Sequence, residues 1–77
     1  MKIVISGIGE MGSHLARMLS GNGHDITVID VDTKALNELG NLADLITVEG
    51  DTTAFAVLRR AGVRRCDFFI AVNHYEN

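Results

Sequence analysis

The 77-residue sequence predicts an α/β fold, a doubly wound parallel sheet with helices on both faces. Three observations carry this expectation. Four short β-branched runs alternate with stretches of helical periodicity. The runs are almost continuously apolar, as strands covered on both faces are. A glycine-rich turn joins the first run to the first helical stretch. Apolar residues make up 47% and charged residues 22%, with no Pro, which is the balance of a folded chain and not of a disordered tail. A chain this short buries only about 60 to 65% of its unfolded surface, and area gain against chain entropy comes out near zero. Stabilisation by a ligand or a second chain is therefore expected.

The first strand reads as Lys2 to Ser6. The first helix follows, with Ile8, Met11, Leu15 and Met18 or Leu19 at helical spacing, and Gly21-Asn22-Gly23 ends it. Asp25 to Asp30 is the second strand; Asp32 or Thr33 caps the second helix, which carries Leu36 and Leu39 and has Gly40 near its end. Asp44 to Val48 is the third strand. Asp51 or Thr52 caps a third helix with Phe55 and Leu58 beside Ala54 and Ala61, and Gly62 follows as a left-handed cap would. Asp67 to Val72 is the fourth strand. The order is βαβαβαβ, without internal repeat or linker, so residues 1–77 are read as a single, partial domain.

Several function classes are excluded on composition. A net charge of −3 gives no long-range attraction to nucleic acid or anionic lipid. Arg59, Arg60, Arg64 and Arg65 crowd around Gly62, where cations suit the end of a helix and stay solvated. Nucleic-acid binding would need a wider patch with aromatic platforms, and of the four aromatic residues three are expected in the core. A lone Cys66 and the absence of a signal peptide point to a reducing compartment, the cytoplasm. No run approaches the roughly 20 apolar residues that span a bilayer, so no direct membrane insertion is expected. His14, His24 and His74 lack metal-ligand spacing, and no nucleophile-base or paired-carboxylate arrangement suggests catalysis.

The sharpest signal is Gly7-Ile8-Gly9-Glu10-Met11-Gly12, directly after the first strand and opening the first helix. Gly7 permits the tight turn, Gly9 removes a Cβ that would strike a pyrophosphate, and Gly12 lets helix and strand pack closely. The helix N-terminus then faces the phosphates. Asp30 closes the second strand, placed to accept both hydroxyls of an adenosine ribose, with Asp32 a second candidate. No Arg or Lys follows immediately, Lys34 being the nearest, so NAD(H) or another unphosphorylated adenosine is expected over NADP(H). With strand order 3-2-1-4, Glu49-Gly50-Asp51-Thr52 and Ala71-Val72-Asn73 lie on the same carboxyl edge. Asp51 either reaches the adenine or its ribose, or caps the third helix; Asn73 is a further contact candidate. Glu10 either complements the helix dipole or selects against a triphosphate.

These residues resemble the TrkA-N domain, also called RCK or KTN, of potassium channels and of Trk and Ktr potassium-uptake systems. The resemblance rests on Met1 to Gly12, on His24 to Asp30 followed by Asp32, on Gly50-Asp51-Thr52, and on Leu58 to Val72. The same glycine motif resembles 6-phosphogluconate and hydroxyisobutyrate dehydrogenases, longer proteins without the Ala-Gly-Val to Ala-Val ending; the cofactor-binding start of an NAD-dependent dehydrogenase is therefore the alternative. The resemblance implies a Rossmann-like, non-catalytic regulatory domain that binds NAD(H), ADP or ATP. It would form homo-oligomers and pass ligand state to a membrane-embedded potassium transporter or channel from the inner face of the membrane. It implies Gly7, Gly9 and Gly12 around the phosphates, Asp30 on the ribose, and Asp51 and Thr52 beside the adenine. Where that family commonly has Thr and an acidic stretch after the fourth strand, this chain has Asn73-His74-Tyr75-Glu76. The chain reads as a truncated half-domain whose fourth strand is an edge, with Phe68 and Phe69 partly uncovered and available to pair with another copy.

Overall fold

In the computed structural model, which describes residues 1–72, the four apolar runs form one parallel sheet in the order β3-β2-β1-β4. The elements are β1 (Lys2–Ser6), α1 (Gly9–Gly21), β2 (Asp25–Asp30), α2 (Thr33–Leu42), β3 (Ile46–Glu49), α3 (Phe55–Arg60), a 3-10 turn (Val63–Arg65) and β4 (Phe68–Ala71). Ile3 of β1 lies opposite Ile26 of β2 and Phe68 of β4, and Asp30 lies opposite Glu49 of β3. The expected fold class and strand order are therefore found.

Because side chains alternate across a strand, β1 divides between two cores. Ile3 and Ile5 join Ile26, Val28, Ala16, Leu36 and Leu39 on the face covered by α1 and α2. Val4 and Ile29 meet Ala61 on the other face, under α3. Val4, Ile5, Val28 and Ile29 are fully buried, so β1 and β2 are covered on both sides. Right-handed crossovers explain the division: the chain moves outward through β2 to β3 over one face and returns to β4 over the other.

The edges behave differently. Phe68 is 54% exposed and Phe69 42%, as expected of a partly uncovered edge strand; with Phe55 84% exposed as well, the expectation of three core aromatics is overturned. The reason is tertiary. Among the described residues β4 has a neighbour only on its β1 side, and α3, six residues long, opens with Phe55 turned outward.

Two strand boundaries also move. β3 starts at Ile46, not Asp44, whose carbonyl accepts the Ser20 hydroxyl at 2.9 Å. The second helix has Gly40 near its end as expected and closes two residues later at Leu42; Gly40 is not in the left-handed conformation, and such a glycine weakens a helix without ending it. β4 spans Phe68–Ala71, although Val72 still donates to Ser6 O at 2.8 Å.

Candidate functional site

The carboxyl ends of β1, β2 and β3 meet around one short turn. After Ser6, Gly7 takes φ 98 and Gly9 φ 49, conformations that L side chains rarely adopt. Gly7 N–H donates to Ile29 O at 2.8 Å, tying the turn to β2. A Cβ on Gly7 would collide with the carbonyl oxygen of Val72, and one on Gly12 with that of Gly7. Turn, helix and the end of β4 thus approach one another at distances that only glycine permits.

Ile8 contributes its side chain to the core and its N–H to Asp30. Among the described residues no side chain caps α1, and the first N–H groups of the helix, at Gly9, Glu10 and Met11, have no intrahelical acceptors. Such an N-terminus is a natural seat for phosphate oxygens. Glu10 and Met11 have exposed side chains; Glu10 lies in the first turn, where its charge complements the dipole.

Asp30 is the centre of the arrangement. Its Oδ2 accepts from Ile8 N–H at 2.8 Å and its Oδ1 from Asp32 N–H at 2.9 Å. Its backbone carbonyl receives Gly50 N–H at 3.0 Å, which brings the end of β3 alongside. Each carboxylate oxygen retains a further lone pair, the acceptors a pair of ribose hydroxyls needs. Sequence reasoning missed that this carboxylate also holds the glycine turn in place.

Asp32 serves the fold directly, since its Oδ1 accepts Ala35 N–H at 3.1 Å and caps α2. Asp51, by contrast, does not cap α3, and neither does Thr52; the residue at that position is Ala54, with no side-chain bond. Asp51 instead closes a local turn, accepting Thr53 Oγ1 at 2.7 Å and Thr53 N–H at 2.8 Å. The bond from the Thr53 hydroxyl, followed by that from its N–H, holds the Asp51 carboxyl below its usual value of 3.8, against a small opposing effect of desolvation. Thr53 was legible only as an Asp-x-Thr pattern. Thr52 is half-buried beside it. Asn73 lies outside the described residues.

Between α1 and α2 runs a groove of about 350 Å³, lined by Ile8, Gly9 and Glu10 of the turn, by Asp32, and by Ser13 and Glu38, which the sequence did not single out. Apolar floor, open N–H groups and carboxylates therefore share one edge. That combination suits an uncharged sugar with phosphates at the helix end, and it repels a phosphate placed beside Asp30 and Asp32. Among the described residues there is no group of three or more His, Cys, Asp or Glu able to hold a metal ion, and no helix is long and apolar enough to cross a membrane.

Comparison with known proteins agrees with this architecture. The chain is 43% identical over 72 residues to the "Trk system potassium uptake protein TrkA homolog" of Archaeoglobus fulgidus, covering 94% of this chain and 16% of that protein. It is 43% identical over 74 residues to the "Trk system potassium uptake protein TrkA" of Halomonas elongata, covering 96% of this chain and 16% of the relative. The homologue of Pyrococcus abyssi is 35% identical over 72 residues, and there the chain spans 32% of the relative's length. A family model described as the TrkA-N domain matches residues 3–77. With the glycine turn, the parallel sheet and this match in hand, the chain belongs to the TrkA-N domain family.

Proposed function

We propose that the chain is a regulatory nucleotide-binding domain of a Trk-type potassium uptake system, working without catalysis of its own. NAD(H) is the favoured ligand, with ADP or ATP as the other candidates. Gly7, Ile8, Gly9, Glu10, Met11 and Gly12 form the phosphate seat through backbone groups, Asp30 takes the ribose hydroxyls, and Asp32, Asp51 and Thr52 border the adenosine. Asn73 completes the set. The observation that carries the reading is the uncapped start of α1 with the Asp30 carboxylate bonded to Ile8 N–H at 2.8 Å. Donors for phosphate and acceptors for ribose are thereby pre-assembled on one edge.

The potassium-uptake part of the proposal is supported by the relatives, whose names place them in potassium uptake. Domains of this kind would assemble as homo-oligomers against the inner face of the membrane, through a membrane-embedded potassium transporter. Ligand state would shift the balance between two arrangements of protomers, by no more than the ligand's difference in affinity for the two. Calorimetric titration with NADH, NADPH, ADP and ATP at fixed salt tests the reading. Saturable binding of NADH or ADP, with NADPH at least tenfold weaker and Asp30→Ala weaker still, is the expected result. NADPH binding as tightly as NADH overturns the ribose assignment, and a folded chain that takes up none of the four overturns the nucleotide reading.

A further inference from the structure

At the opposite edge of the sheet, positive charge gathers from three segments distant in sequence. Lys2 opens β1, Arg59 lies in the last turn of α3, and Arg64 and Arg65 belong to the 3-10 turn. Gly62, at φ 85 and ψ 25, reverses the chain so that the latter two return beside Arg59. A Cβ at Gly62 would stand 2.7 Å from Lys2 Nζ, so the ammonium group lies directly against this turn, whose φ of 85 favours glycine. The four cations line a depression of about 670 Å³ whose walls, among the described residues, hold no carboxylate. Arg60 is not among them: its guanidinium donates to Glu49 O at 2.7 Å. The neighbouring acid, Asp67, accepts the backbone N–H of Lys2 at 2.8 Å.

Like charges lining one depression repel one another, and the C-terminal dipole of a six-residue helix offsets only part of that. Directly adjoining is an apolar hollow of about 200 Å³ lined by Phe55, Leu58 and Val63, which shares Arg59 and Arg64 with the basic depression. Guanidinium groups match phosphate oxygens in a two-pronged geometry, and an exposed phenyl ring offers a face to whatever the phosphate carries. We propose that this edge is a second binding site, for a phosphate ester bearing an apolar or aromatic group, separate from the nucleotide edge. A soluble organophosphate and the headgroup of an anionic lipid share this chemistry.

Amide shifts of the isotope-labelled chain, read with phenyl phosphate, together with co-sedimentation on vesicles of phosphatidylglycerol and phosphatidylcholine or of phosphatidylcholine alone, test the site and tell the sources apart. Phenyl phosphate moving Lys2, Gly62 and Arg65 while leaving Gly7 and Gly9 in place identifies a soluble ligand. Binding only to the vesicles that contain phosphatidylglycerol identifies a headgroup. In either case Arg64→Glu combined with Arg65→Glu, on exposed side chains, lowers affinity at least about tenfold with the amide pattern of the sheet unchanged. Phe55→Ser removes the preference for phenyl phosphate over inorganic phosphate. Shifts confined to Gly7 and Gly9 with no vesicle binding, or full binding by the double variant, overturn the proposal.

Discussion

Replacing Gly12 by Ala sets two effects of known size against each other. In a helix interior Ala is favoured over Gly by about 0.8 to 1 kcal/mol, so propensity alone predicts a gain. Here the added methyl would collide with the backbone carbonyl oxygen of Gly7, which is held by its own bonded turn and cannot rotate away as a side chain would. Overpacking of a well-filled site costs about 1 to 3 kcal/mol, and a rigid backbone partner puts this case near the upper end. The net loss is about 2 kcal/mol, which for a domain of this size lowers Tm by roughly 8 to 16 °C. Gly40→Ala is the matched control. That glycine is also inside a helix, but its nearest neighbour would be Thr47 Cγ2 at 3.9 Å, ordinary contact. There the propensity gain stands alone, and Tm rises by about 3 to 8 °C. Thermal unfolding of both variants, followed by circular dichroism, decides the matter. A Gly12→Ala chain as stable as the parent would refute the claim that close packing of turn and helix requires this glycine.

Asp30→Asn leaves one acceptor for two backbone donors, so the chain loses about 1 to 3 kcal/mol of stability and the Ile8 amide resonance moves; an unshifted Ile8 amide would show that the bond from Ile8 is not made in solution. Thr53→Val removes the hydroxyl that lowers the Asp51 pKa, so a carboxyl titration followed by NMR places Asp51 nearer its usual 3.8. The sign follows from a folded-state pKa below the unfolded one: the bonds at Asp51 stabilise the parent above that range, and the contribution fades as pH falls through the lowered folded value. An Asp51 titration unchanged by the substitution would contradict the assigned cause. Phe68→Thr combined with Phe69→Thr removes the exposed aromatics of the edge strand, and any self-association seen by sedimentation should decrease; association undiminished would locate the contact elsewhere.

What the sequence determined by itself was local and periodic. Short, almost continuously apolar β-branched runs such as Ile3 to Ile5 and Ile26 to Ile29 point to strands covered on both faces, and a glycine motif between strand and helix specifies a turn whose φ values other residues avoid. Asp32 as a cap and Gly62 as a left-handed stop were legible because each depends on neighbours a few residues away. Tertiary structure decided whatever depends on partners far along the chain. Whether Phe55 and Phe69 are buried is set by how much of α3 and β4 finds a neighbour, which no periodicity encodes. That Asp30 both braces the glycine turn and keeps acceptor lone pairs depends on β2 lying beside β1, with Ile8 and Asp30 lying 22 positions apart in the chain. The same holds for the division among the arginines, where the fold turns Arg60 to a strand carbonyl and leaves Arg59, Arg64 and Arg65 with Lys2. Hydrogen-bond geometry and like-charge proximity act through space, and only the packed sheet sets those distances.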